Sequence, residues 1–399
     1  MNSTHQTRIV RIEALLEHPN ADLLSIVHIG GYQVVTRKEQ FKVGDLAVYV
    51  QPDSVVPQTD PFRFIWEAYI GLDGTVPENR RRVTVRKFRK EWSEGLLLPM
   101  DDFSTELVKA GRPEYHEGDD LSDILGITHY EPEEMANTKG ETASAPRLRY
   151  PKTLKGWFYF LVHKLGFKGF GKQLTEEIGV DIPAYDVEAL KNYAQAFEPG
   201  EMVYVTEKIH GSNARFLFLD GHMYAGSHYQ WKHEKSTCAF RKALTVRPWI
   251  EQWCRAHEGT TLYGELTPTQ KGFSYGSNEL RFFAFDIRTP EGQWRKPWTF
   301  HYEVVGVDES NHSPYTICHA EVNIVPVLYY GPYDLEKIKA QFVDGPSAVL
   351  GAKNMREGVV ITPVTERTVR GLGRLQLKLV SNAYLEKDSK ESFKDGAPE

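Results

Sequence analysis

The sequence predicts an α+β protein of two bodies, a small closed β-barrel followed by a larger domain of antiparallel sheets with flanking helices. Three observations carry that expectation. At 399 residues the chain exceeds what one hydrophobic core usually serves, so two domains are expected. Up to about Thr128 the apolar residues fall in short strand-like runs separated by turn residues. From Met202 a strand runs into a glycine turn and returns, and Asp220-Gly221 then signals a second hairpin.

The first body reads as follows. Arg8–Ile12 and Leu24–Ile29 alternate polar and apolar residues, and Gly30-Gly31 offers a tight turn into Tyr32–Val35. Leu46–Val50 is a further strand, ended by Pro52-Asp53, and a later pair is expected at Arg82–Val85 and Gly95–Leu98. Residues 129–181 form a connector whose loose stretch, Thr138–Pro146, reads as solvated. Val187–Tyr193 reads as a short helix. The second body spans 182–385 and a charged tail covers 386–399.

Composition excludes several classes. Apolar and charged fractions of 41% and 26% are those of an ordinary globular protein. No apolar run is long enough for a membrane span, and Met1–His5 does not open a signal peptide, so a cytoplasmic protein is expected. Cys238, Cys254 and Cys318 are odd in number and widely spaced, forming neither a disulfide framework nor a metal knuckle; they read as buried, inert thiols. A net charge of −6 argues against wholesale coating of nucleic acid but leaves room for a local basic groove. Residues 146–173 fit one, with seven cations including Arg147, Lys155 and Lys168, no acid, and interleaved aromatics such as Trp157 and Phe167. A helix packing its aromatics on the next domain fits them equally well.

The chemistry concentrates in the second body. Met202–Thr206 has the branched and aromatic content of a strand, and it leads into Glu207-Lys208-Ile209-His210-Gly211-Ser212-Asn213. Lys208 therefore sits where a strand ends in a glycine turn, an amine on a stiff support with backbone N–H groups nearby to meet phosphate. Lys-x-His-Gly-x-Asn has four fixed positions, which would recur by accident in about one of several hundred chains of this length.

Four further segments follow in order. Leu262–Leu266 places Glu265 57 residues beyond Lys208, and Phe282–Ile287 places Phe285 20 residues further; Glu357–Ile361 and Leu375–Leu379 bring Glu357 and Lys378. Together they resemble the ordered motifs of the covalent nucleotidyltransferase superfamily. The branch they resemble is the ATP-dependent RNA ligases with an N-terminal OB domain, because DNA ligases and capping enzymes usually carry that domain after the catalytic one. The stretch His18–Leu24 is likewise similar to the opening loop of OB-fold RNA-binding modules.

The resemblance implies a role for each residue. Lys208 would be the nucleophile that carries AMP, with ATP as its source and Mg²⁺ or Mn²⁺ as the metal. Glu265 would bind the ribose, Phe285 would stack on adenine with Val360 opposite, and Lys378 would contact the α-phosphate. Glu265 and Glu357 are hard oxygen ligands for the cation. Glu207 would add an adenine contact, while Asn213 and His210 would meet the nick. A lysine attacks at neutral pH only when its pKa is depressed, for which Lys378 and the cation are the expected sources.

Two departures from the pattern stand out. The arginine that usually grips the 5′-phosphate after the second hairpin is missing, leaving His228 or Lys232 to serve. Val380 occupies the usual place of a second lysine in the last motif, so Lys378 acts alone or with Arg374. The expected partner is RNA or an RNA-containing nicked duplex, with no membrane and no obligate protein partner. The expected reaction joins RNA 3′-hydroxyl and 5′-phosphate ends at nicks in duplexes; the alternatives are a DNA ligase, a capping-type guanylyltransferase or a non-catalytic RNA-binding protein on this fold.

Overall fold

A computed structural model describes residues 5–71, 73–111, 114–130, 175–269, 273–296, 304 and 323–387. The basic aromatic segment 146–173, Cys318 and the tail beyond Lys387 lie outside these described residues.

Five strands frame the N-terminal body: β1 (Arg8–Arg11), β2 (Leu24–Ile29), β3 (Tyr32–Arg37), β4 (Leu46–Val50) and β5 (Leu96–Pro99). One sheet runs β1-β4-β5, and β2-β3 form a hairpin in the other. That hairpin closes through Gly30 at φ +56°, between paired Ile29 and Tyr32, as the glycine pair predicts. The Glu94 N–H donates to Gln33 O at 2.7 Å, which ties β3 to the approach to β5 and curls the sheets together. β4 is buried on both faces. Ala47 and Tyr49 join a core with Val27, Val34 and Leu97, while Val48 and Val50 join another with Phe62 and Phe103. Burial on both sides explains its unbroken apolar run.

Two sequence expectations fail here. Arg82 makes only an isolated bridge to Val55, and the strand starts at Arg86–Phe88, paired with Glu91–Ser93. Val83 instead spends its N–H and C=O on Ser54 and Asp53, an exchange too short to grow into a ladder. The helix expected over Val187–Tyr193 is absent as well. β6 (Glu188–Ala189) pairs in parallel with the chain at Leu377-Lys378, and a single 3₁₀ turn, Leu190–Asn192, follows.

The second body is two facing sheets. Its main strands after β6 are β7 (Met202–Lys208), β8 (Ser212–Leu219), β9 (His222–Ser227), β10 (Trp231–Lys232), β11 (Thr261–Thr267), β12 (Arg281–Arg288), β13 (Val327–Pro332), β14 (Gly358–Pro363) and β15 (Leu377–Val380). Five strands form one sheet in the order β6-β15-β14-β7-β13. The seven-stranded sheet runs β10-β9-β8-β11-β12 between edge strands Thr175–Glu176 and Asn323-Ile324, so residues assigned to the connector belong to this domain. Asp220 and Gly221, at φ +50° and +76°, make the predicted β8–β9 turn.

Helices α1 (Ala239–Val246) and α2 (Trp249–Ala256) cover the rear of the seven-stranded sheet. Phe240, Ile250, Trp253 and Cys254 pack there on Phe216, Leu262 and Phe282, and Cys238 is buried alongside, as expected of an inert thiol. The five-stranded sheet has its own core, with Val203, Val205, Val359, Ile361, Leu377 and Leu379 on one face. The barrel docks where the 3₁₀ turn meets the β2–β3 hairpin. There Gly31 N–H donates to Lys191 O at 3.1 Å, and the Lys191 ammonium reaches Glu94 at 2.5 Å. Among the described residues no helix is long and apolar enough to cross a membrane.

Candidate active site

Strand alternation decides which side chains enter the cleft between the two sheets. On β7, Val203 and Val205 face the core, so Thr206 and Lys208 face the opposite way. Thr206 pairs with Val360, which pairs with Lys378, so these residues share the cleft face. Across the cleft, Ala214, Leu262, Leu266 and Phe282 point to the helices, leaving Asn213 and its partner Glu265 on the inner face with Phe285. Five predicted residues from distant segments thus meet in one cleft: Lys208, Lys378, Glu265, Phe285 and Asn213.

Lys208 Nζ donates to Glu357 Oε1 at 2.6 Å. The other oxygen, Glu357 Oε2, lies 3.4 Å from His210 Nδ1, and Tyr384 Oη is 2.8 Å from the same nitrogen. Burial alone would favour a neutral carboxyl at Glu357, but Lys208 and His210 outweigh it and pull its pKa down to about 2. Glu265 goes the other way. Burial lifts it to about 7, with Lys208 only partly compensating. Burial together with the nearby Lys208 charge lowers the pKa of Lys378.

The turn after Lys208 explains its glycine. A Cβ on Gly211 would stand 2.1 Å from Leu266 O and 3.0 Å from Glu265 Cγ, so only glycine lets the turn after Lys208 pass this close to β11. His210 is fixed by its backbone, whose N–H donates to the fully buried Tyr275 hydroxyl at 2.6 Å.

Phe285 packs on Tyr185, with ring centroids 4.6 Å apart. Tyr185 was not singled out in the sequence, yet it ties the two sheets together. Its hydroxyl donates to Asp286 Oδ2 at 2.7 Å and lies 2.5 Å from Gln376 Oε1. Asp286 in turn pairs with Arg374, which also holds Glu366 at 2.6 Å.

Several expectations need correction. Glu207 alternates with Lys208 and faces the core side, where one carboxylate oxygen accepts from Ala348 N–H at 2.7 Å and the other is buried without a partner. Lys232 pairs with Ala225, a residue of the helix-side core, and is only 4% exposed beside Phe240, on the rear of the sheet. His228 stays half-buried just past the end of β9, edge-on to Tyr229. Arg374 is committed to Asp286 and Glu366, which removes it as a helper for Lys378. Lys208 has a raised pKa, not a depressed one. Burial pushes it down, but Glu357 and Glu265 together outweigh burial. In the barrel, His18 staples its own loop, accepting from Asn20 N–H at 3.1 Å and lying 3.1 Å from Phe88 O.

Among the described residues no group of three or more His, Cys, Asp or Glu side chains could hold a metal ion by itself. Glu265 and Glu357 still fit Mg²⁺, which commonly takes one or two carboxylates and completes its shell with phosphate oxygens and water. Glu357 Oε2 makes no full hydrogen bond, its nearest polar neighbour being His210 Nδ1 at 3.4 Å. Asn213 Oδ1 is buried and unpartnered.

Comparison with known proteins agrees with this geometry. Residues 201–380 match the RNA ligase family, and residues 6–100 match an OB-fold domain. The Naegleria gruberi RNA ligase with pyrophosphate superposes with a TM-score of 0.71 at 24% identity, covering 97% of this chain and 100% of that one. An apo variant of the Naegleria gruberi enzyme gives 0.70 at 25% identity, over 96% and 99% of the two chains. A further variant, solved with ATP and manganese, gives 0.69 at 24%, again over 96% and 99%. No curated protein sequence matches the chain.

Proposed function

Because the chain carries an RNA ligase domain at residues 201–380 behind an OB-fold domain, we propose that it seals RNA 3′-hydroxyl and 5′-phosphate ends at nicks through a Lys208 adenylate. The observation that carries this reading is the cleft itself. Lys208 is held by Glu357 at 2.6 Å, with Lys378 on the same sheet and Glu265 on the facing one.

Three displacements follow. Lys208 Nζ, once it has lost its proton, attacks the α-phosphorus of ATP; an N–P bond forms, the bond to the bridging oxygen breaks, and pyrophosphate leaves with that electron pair. An oxygen of the RNA 5′-phosphate then attacks the same phosphorus, releasing Nζ and leaving AMP on the RNA end. Finally the 3′-hydroxyl oxygen attacks the 5′-phosphorus, gives up its proton and expels AMP.

The residues present suit these steps. Glu357 Oε1 positions the Lys208 ammonium through its 2.6 Å hydrogen bond. Lys378 stands on the neighbouring rungs as a cation for the α-phosphate charge, and Phe285 offers a flat face for the base. Glu265 and Glu357 would hold Mg²⁺ or Mn²⁺. A bound cation would supply positive charge to offset that of the α-phosphate and would draw off the two carboxylates that raise the Lys208 pKa. With Lys232 behind the sheet, His228 is the remaining predicted residue for the 5′-phosphate.

A sealing assay on nicked duplexes, with RNA or DNA in each strand, tests the reading. RNA at the 3′-hydroxyl side should be joined in an ATP-dependent way. Joining of all-DNA nicks at equal rate would favour a DNA ligase, and a lysyl-GMP without lysyl-AMP would favour a capping enzyme.

A further inference from the structure

We propose that Tyr384 is a positioning residue of the nucleophile pocket, fixing the His210 imidazole so that His210 holds Glu357 against Lys208. The inference rests on the lysyl-adenylate reading. Tyr384 stands 174 residues from His210 in the chain, yet its hydroxyl is 2.8 Å from Nδ1. That nitrogen is 3.4 Å from Glu357 Oε2, whose companion oxygen is 2.6 Å from Lys208 Nζ. Hydroxyl and carboxylate therefore converge on one ring nitrogen, and the carboxylate's other oxygen holds the nucleophile.

The surroundings leave the imidazole little freedom apart from this contact. Phe273 lies 4.5 Å from the His210 ring and 5.4 Å from the Tyr384 ring, and the His210 backbone is held by Tyr275. Tyr384 is 5% exposed and its position is set from several directions. It belongs to the helical turn 382–387, whose preceding Ser381 donates its N–H to Glu357 O at 2.8 Å and its hydroxyl to Asp344. Ser381 Oγ accepts the Tyr384 N–H at 3.1 Å, and the Asn382 amide donates to the barrel's Glu94. The same turn is thus bonded to the Glu357 backbone, to the imidazole partner of its side chain and to the N-terminal barrel. A tyrosine needed only for packing would not require its hydroxyl at this point.

Tyr384→Phe keeps the ring and removes only the hydroxyl. At saturating ATP the variant should form lysyl-AMP about tenfold more slowly, with KM for ATP within about twofold, as expected for loss of one hydrogen bond that acts on the chemical step. In a His210→Ala background the same change should alter the rate by less than about twofold, because the two residues act as one unit. Parental rate in Tyr384→Phe, a rise in KM alone, or a full loss persisting in the His210→Ala background would each overturn the proposal. A parent chain that forms no lysyl-AMP would defeat the ligase reading instead. The Tyr384 contact would then stand or fall on the His210 side-chain ¹⁵N shifts, which should move between parent and Tyr384→Phe and would refute the contact by staying the same.

Discussion

The barrel and the cleft both bury polar groups, but they treat them differently. In the barrel, Glu94 is answered on every side: one oxygen meets Lys191 and Asn382, and the other accepts the Gln33 N–H at 3.0 Å. The polar atoms left unpaired there include Thr7 Oγ1, Thr36 Oγ1 and Trp66 Nε1, all neutral. In the larger domain they include Asn213 Oδ1, opposite Glu265, and Glu357 Oε2, whose nearest polar neighbour is His210 Nδ1 at 3.4 Å. Unmet carboxylate oxygens cost far more than unmet hydroxyls, and among the described residues they fall at Glu207 and Glu357, both in the larger domain. The barrel is organised for stability and docking, the cleft for charge that arrives with substrate.

Breaking the cleft should show first in chemistry. Glu357→Ala strips Lys208 of its partner and removes one of the two carboxylates assigned to the cation. Lysyl-AMP formation should fall on the order of 10²-fold or more, read by label transfer from ATP. Breaking the frame beneath the cleft should show first in stability. Asp286→Ala leaves Arg374 buried without its main partner and cuts the Tyr185 bridge, at a cost of about 3–5 kcal/mol in urea unfolding.

Barrel changes should be milder. Glu94→Gln keeps the shape but removes the charge that faces Lys191, and about 2 kcal/mol of stability should be lost. The smallest effect is a pH dependence at His5. Burial, aided by His129 and Lys378, pulls its pKa down to about 4, so the folded chain leaves it neutral between about pH 4 and 6.5, where the unfolded chain binds a proton. Stability should therefore fall as pH drops through that window. His5→Gln should flatten the fall by about 1–2 kcal/mol, after allowance for partial exposure.

What the sequence made legible follows from how local each signal is. Leu46–Val50, Gly30-Gly31 and Asp220-Gly221 are local patterns, and each formed the predicted strand or turn. Lys208, Glu265, Phe285, Glu357 and Lys378 were legible through their order along the chain, and the fold brings them to one cleft. Glu207 and Lys232 were misplaced because a residue's face depends on the partner strand: pairing with Val359 and Ala225 turns both toward cores. Tyr185, Arg374 and Tyr384 act through contacts 101, 88 and 174 residues away in sequence, which no local pattern records. The raised pKa of Lys208 is also a product of assembly, because Glu357 reaches it only in the folded cleft.

The central claim is that Lys208 carries AMP, and peptide mapping after incubation with α-labelled ATP and Mg²⁺ tests it most directly. The account predicts an acid-labile, base-stable adenylate on the peptide containing Lys208, absent from Lys208→Ala. Label on another residue, or undiminished label in Lys208→Ala, would contradict it.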